Sequence, residues 1–405
     1  MSRAALSIAA LVAALVAWPA PARAGRSFIP IPEIIADPNE GNTLGLLGVI
    51  LFTDDKDQIR YMLAPDLRYN RTTGVFPHFR LFGYPSATRQ YSLVVGKSTT
   101  RDEKYFGDIE ERGLWGGRAF VLASVLYERD STERFFGFGN DSDENNESNY
   151  TSQIFDAEAT PGIWVLPYLN VSYHMRILRH AVQPGQVDSF PFIGDPRFIE
   201  GPDTDVRGRG LATAVYWSHS LALTYDTRDS LRQPTTGTLV LVYADAADRR
   251  LGSATSFVKF GLESRKFVPI LKSGNPILAL RALIDYVSGG DDTPFYEMSS
   301  LGGHQSLRGF GGDRFIDFNR SLASAELRTR VYRRRLFGVN AELEVAPFVE
   351  TGQVFHTLSD SPVDDLHWVY GLGFRGVVRP QIVAFVDVGR GSEGTSVFSG
   401  IDYPF

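Results

Sequence analysis

Few residues in this 405-residue chain stand at spacings that catalysis requires. There is no cysteine, which removes thiolate nucleophiles, thiolate zinc sites and disulfides together. The seven histidines, among them His78, His174, His219 and His304, show no metal-ligand spacing. No Gly-x-Ser-x-Gly elbow offers a nucleophile, so nothing favours an enzyme. Asp141, Asp143, Asn145 and Glu147 imitate a calcium loop, but Asn146 stands where its glycine belongs and Ser152 where its glutamate belongs. A solvated acidic loop is the better reading. Gly371-Leu372-Gly373-Phe374-Arg375-Gly376 and Gly389-Arg390-Gly391-Ser392-Glu393-Gly394 spell the dinucleotide fingerprint. Neither opens a helix within a βαβ unit, so they read as small residues on a strand wall that leave room for an inserted loop. No metal or cofactor is expected.

One group remains. Leu307-Arg308-Gly309-Phe310 lies in a long connection, and Glu326 and Glu350 lie in the strands that follow. A guanidinium stays charged at any relevant pH and takes parallel hydrogen bonds from carboxylates. If both glutamates point toward the loop, Arg308 pins it between them. Gly309 allows a tight turn or a positive φ, and Phe310 can pack on the inner wall.

The elements that would hold these residues are strands. Arg3, the apolar Ala4–Trp18 and Ala22-Arg23-Ala24 make residues 1–24 a secretion signal. Its apolar run of about 15 residues is too short to span a bilayer. Beyond it, alternation dominates. Ile59, Tyr61, Leu63, Pro65, Leu67 and Tyr69 oppose Arg60, Met62, Ala64, Asp66, Arg68 and Asn70. Val339, Ala341, Leu343, Val345 and Val349 oppose Asn340, Glu342, Glu344 and Glu350. Runs of about ten residues, apolar on one side and charged on the other, suit strands between lipid and a wet lumen. The expected fold is all-β: a transmembrane antiparallel barrel of about 16 strands with an extracellular loop folded into the lumen. Strands are expected at 44–53, 57–70, 74–84, 88–99, 115–130, 150–161, 163–180, 211–226, 236–248, 254–268, 275–289, 321–333, 339–356, 366–379, 381–390 and 396–405. Residues 25–43 are expected as a short periplasmic segment and 44–405 as the barrel. The long connections 131–149, 181–210 and 290–320 then share the outer end. Thr72-Thr73-Gly74, Arg379-Pro380 and a longer 100–114 fall at the inner one. The net charge of −6 gives no footing for nucleic acid. Gly400, Tyr403 and Phe405 fit the terminal pattern that marks barrels for membrane insertion, with Val397, Ile401, Tyr403 and Phe405 on one face.

The stretch from Leu301 to Phe310 resembles the signature loop of the BamA-like outer-membrane insertase and translocase superfamily, also called bacterial surface antigens. Ala325-Glu326-Leu327-Arg328 resembles that family's glutamate-bearing strand. Phe348-Val349-Glu350-Thr351-Gly352 resembles its Phe-x-Asp-x-Gly strand, with Glu for Asp. Tyr225-Asp226-Thr227-Arg228-Asp229 with Pro234 and Gly237, Phe136-Gly137-Phe138-Gly139-Asn140-Asp141, Phe385-Val386-Asp387-Val388-Gly389 and Tyr403-Pro404-Phe405 match further pieces. The resemblance covers roughly 130–405. It implies an outer-membrane location, insertion or translocation of proteins or lipids, and client outer-membrane or secreted proteins as partners. Outer-membrane lipid, lipopolysaccharide and the cell's barrel-insertion machinery are the other expected partners. Relatives carry periplasmic polypeptide-binding modules before the barrel. About 19 residues between Gly25 and residue 44 are too few for a domain, so a barrel-only member is expected. The alternative is a passive pore or structural barrel with a plugging loop.

Overall fold

The computed structural model describes residues 26–54, 58–199, 203–336, 339–378, 382–401 and 403. The expected leader, residues 1–24, the Arg379-Pro380 turn and Phe405 lie outside them. The first strands are β1 (Arg26–Asp37), β2 (Gly41–Thr53), β3 (Ile59–Leu63), β4 (Asp66–Asn70), β5 (Gly74–Gly83), β6 (Arg89–Lys97) and β7 (Glu103–Leu114). Then come β8 (Ala119–Phe135), β9 (Ser148–Leu166), β10 (Leu169–Pro184), β11 (Ala214–Asp226), β12 (Gly237–Ala247), β13 (Phe257–Pro269) and β14 (Ile277–Gly289). β15 (Ser299–Leu301) and β16 (Phe315–Asp317) form a small separate hairpin. β17 (Asn319–Leu336), β18 (Val339–Phe355), β19 (His367–Val378), β20 (Ile382–Arg390) and β21 (Thr395–Ile401) complete the wall.

Each wall strand pairs antiparallel with its neighbours, and β1 also meets β21, closing a barrel. β3 and β4 both pair with β2 and β5, so they are one stave interrupted at Ala64-Pro65. Counted that way the barrel has 18 staves, not about 16.

The two additional staves are β1 and β7. Residues 26–37, expected as a periplasmic segment, form β1; its Pro30 and Pro32 argue against a strand unless it stands at an edge. Residues 103–114, expected within an inner turn, form β7. Its charges are answered across the ladder, Lys104 Nζ to Glu128 at 2.7 Å and Arg89 Nε to Glu111 at 2.6 Å. Each missed stave inverts the chain direction, so the strands between them run opposite to expectation. Thr72-Thr73-Gly74 therefore lies at the same end as the long connections. There Gln186 Nε2 donates to the Thr72 carbonyl at 2.9 Å.

The connections 136–147, 185–213 and 290–318 all leave this one end. The outer wall shows Leu221 at 62% and Tyr370 at 63% exposure, a surface that suits lipid and not water. The lumen is occupied at this end. Phe135, Tyr150, Ile193, Phe198, Val206, Phe295, Met298 and Ile316 join the loops to the inner wall. At the opposite end Leu47, Val49, Leu51, Met62 and Tyr84 form an apolar cluster that includes Val378 of β19. β19 is separated from β2 by the junction of β1 and β21, so this contact reaches across the junction.

Candidate functional site

The loop 290–318 enters the lumen and turns at Leu307–Phe310, where Phe310 N donates to the Leu307 carbonyl at 2.9 Å. Leu307 takes the positive φ of 46°, whereas Gly309, expected to need that freedom, does not. Gly309 answers to space instead: a Cβ there would stand 2.4 Å from Gly391 N. Gly389 is its counterpart on β20, where a Cβ would stand 2.3 Å from the Arg308 carbonyl oxygen. The glycines of the false dinucleotide motif thus make the wall against which the loop lies. Phe310 packs edge-on against Phe315 at 5.1 Å between ring centres and against His367 at 5.7 Å.

Arg308 is fully buried. Its Nε donates to Glu350 Oε1 at 3.0 Å and its backbone N to Glu350 Oε2 at 2.7 Å. Nη1 donates to Glu326 Oε2 at 3.0 Å and to Asp387 Oδ2 at 2.8 Å. The guanidinium lies 3.6 Å from the centre of the Phe348 ring, a cation–π contact on the remaining face. Ser324 Oγ adds a hydrogen bond to Glu350 Oε1 at 3.1 Å.

Two further cations complete the group. Arg375 on β19 donates to Asp387 and, at 3.2 Å, to Glu326 Oε2. Arg328 Nε donates to Glu326 Oε1 at 2.9 Å. Three guanidinium groups therefore meet three carboxylates, which lets so many buried charges persist without a net charge in this cluster. The structure brings Arg308, Glu326 and Glu350 together. Asp387, Arg375 and Arg328 were not assigned from sequence. Asp387 stood in a quoted family-like segment and Arg375 inside the false nucleotide motif. The two-residue period puts both on the lumen side, which was the available signal.

The terminal residues separate. Gly400 pairs with Phe385, and a Cβ on it would stand 2.9 Å from that ring. Tyr403 departs from the face predicted for it. It follows the end of β21, and its hydroxyl donates to the buried Glu344 Oε2 at 2.9 Å, with the Arg328 guanidinium 4.0 Å from its ring. Its ring therefore faces the lumen.

The quoted turn segments are well braced. Asp226 accepts from Arg228 Nε at 2.9 Å and Nη2 at 2.8 Å, and Asp229 accepts from Thr235 N at 2.8 Å. Gly139 N donates to the Ile316 carbonyl at 2.8 Å, tying loop 136–147 to the lumen loop. In the calcium-like run, Glu147 pairs with Arg134 at 2.7 Å and Asp143 accepts from Asn145 N at 2.9 Å.

The family model of the Omp85 superfamily domain matches residues 115–375. The chain belongs to the Omp85 superfamily. This Omp85 barrel is a protein of the bacterial outer membrane. Its fold is similar to that of BamA from Haemophilus ducreyi lacking POTRA domains 1–3. The TM-score is 0.55 at 14% identity, over 92% of this chain and 75% of that one. CdiB from Escherichia coli gives a TM-score of 0.47 at 11% identity, over 95% of this chain and 63% of that one. CdiB from Acinetobacter baumannii gives 0.46 at 10% identity, over 94% of this chain and 60% of that one. No curated protein sequence matches.

Proposed function

We propose that this barrel inserts or translocates proteins at the outer membrane by opening between β1 and β21. The carrying observation is the weakness of that junction. Among the described residues its register holds one pair, Ala36 with Val397, while β1 pairs with β2 along its whole length, from Arg26–Phe52 to Asp37–Gly41. Pro30 and Pro32 contribute to the asymmetry. Set two apart, their donorless nitrogens face the same neighbour, and the unbroken register with β2 leaves that neighbour as β21. An edge with free carbonyls and donors is a template for a client strand. Membership in the Omp85 superfamily supports the same reading. The partners are then unfolded outer-membrane or secreted polypeptides on one side and lipid, including lipopolysaccharide, on the other. The terminal Gly400, Tyr403 and Phe405 would serve the barrel's own insertion by the cell's machinery.

The test compares the outer-membrane and secreted proteomes of cells with and without the protein. It adds a variant locked by an Ala36→Cys, Val397→Cys disulfide. Loss of a defined set of proteins, restored by the wild type and by the locked variant only under reductant, supports the proposal. An unchanged proteome together with a steady conductance in planar bilayers would establish the pore reading instead.

A further inference from the structure

The lumen loop reaches both sides of the β1–β21 junction at its long-loop end. On the β1 side, Asn39 in the turn 38–40 donates through Nδ2 to the Gly312 carbonyl at 3.0 Å. Asn39 is buried, and its own carbonyl accepts from Arg134 Nη2 at 2.8 Å. The fit is close: a Cβ on Gly311 would stand 2.4 Å from Asn39 Oδ1.

On the β21 side, Arg314 reaches Glu393 in the turn 391–394. Nε donates to Oε2 at 2.9 Å and Nη2 lies 2.7 Å from Oε1, a two-pronged ion pair. Arg314 is itself held. Nη1 and Nη2 donate to Ser142 Oγ and to its carbonyl at 2.8 and 2.6 Å, and the guanidinium lies between Phe136 and Phe315, 4.4 and 4.6 Å from their ring centres. It is only 2% exposed.

Both contacts stand just beyond the one registered pair, Ala36 with Val397. We propose that the short segment Gly311–Arg314 is a staple across the junction, with Asn39 and Glu393 as its two anchors. Arg314 and Asn39 are then positioning residues: they hold β1 against β21 beside the one pair that the backbone ladder registers. The two anchors act in series, so separating the strands requires the Asn39–Gly312 bond or the Arg314–Glu393 pair to break, while the Arg308 clamp deeper in the lumen stays closed. The staple rests on the reading that this junction is what opens, but it concerns the force that keeps it shut.

The natural chain has no cysteine, so Leu44→Cys on the outer face of β2 and Ser392→Cys in the turn 391–394 give a clean pair for spin labels. Distances are measured by pulsed electron resonance in the full chain, folded in bilayers. In the labelled parent one short distance dominates. Asn39→Ala and Glu393→Gln, singly and together, should raise the population at longer distance, on the order of ten-fold for the pair. The swap Arg314→Glu with Glu393→Arg should restore part of the short distance. Folding of each variant is checked by heat-dependent mobility on gels. A double variant that folds and keeps the parent distribution would overturn the staple. If the junction loosens and no client protein changes, the staple stands and the insertase reading fails. If client handling changes with the distances unmoved, the staple fails.

Discussion

At Arg308 a single side chain satisfies three carboxylates contributed by β17, β18 and β20. Removing it leaves Glu326, Glu350 and Asp387 to share Arg375 and Arg328. Arg308→Ala is expected to cost about 3–5 kcal/mol, the usual loss when one partner of a buried pair disappears. Limited proteolysis from outside the cell checks it, with faster cleavage in 290–318 expected. Arg308→Lys is expected to fall well short of rescue, because an ammonium cannot present Nε and Nη1 to separate carboxylates in one plane. At Gly389 the argument is steric. Gly389→Ala places a Cβ against the Arg308 carbonyl and is expected to cost about 1–3 kcal/mol as overpacking. A lowered unfolding midpoint by heat-dependent gel mobility would show it, while Gly376→Ala, with open space around its Cβ, should be neutral.

The loop as an element has a second clamp of opposite polarity. Glu297, on a short 3-10 turn at Phe295–Glu297, is buried. It accepts from Arg176 Nη1 of β10 at 2.9 Å and from Lys259 of β13. Burial opposes its charge, but Lys259 and Arg176 outweigh burial and hold the carboxyl below its ordinary value of 4.5. A lowered folded value means that this stabilisation is complete above 4.5 and is lost as pH falls through the lowered value. Protease access to 290–318 should therefore stay constant through mild acid and rise only below 4.5, and Glu297→Gln should abolish that step. How far the elements could be read in advance depended on what each strand faced. Strands with lipid on one side and lumen on the other alternate clearly, and β17 and β18 carried Glu326 and Glu350 to the lumen as the period required. β1 was hidden by Pro30 and Pro32, which only an edge beside a weak junction tolerates. β7 was hidden by Glu103, Lys104, Asp108, Glu110, Glu111 and Arg112, which resemble a solvated turn until their cross-strand partners are seen. The clamp was visible as an arginine and two glutamates because their spacing is set by strand parity. Arg375 was not, because glycine-rich neighbours drew it into another motif, and Asp387 stood in a family-like segment with no carboxylate role attached to it.

For the molecule as a whole, the two clamps bind the loop to neighbouring stretches of the wall, β10 and β13 in one and β17, β18 and β20 in the other. The loop is then fixed at two places within the lumen, with the apolar cluster around Leu47, Met62 and Val378 narrowing the far end. A barrel filled in this way is expected to conduct poorly in planar bilayers, with Arg308→Ala raising the frequency of opening. In the proposed opening the β1–β21 junction parts first, since each other neighbouring pair of strands holds a run of registered residues. The most direct measurement is hydrogen exchange of the full chain folded in bilayers, followed at the amides of 307–310. A clamped loop predicts that Arg308 N, bonded to Glu350, exchanges as slowly as the ladder amides of β17 and β18. Exchange as fast as that of the exposed connection 356–366 would contradict the clamp and the account built on it.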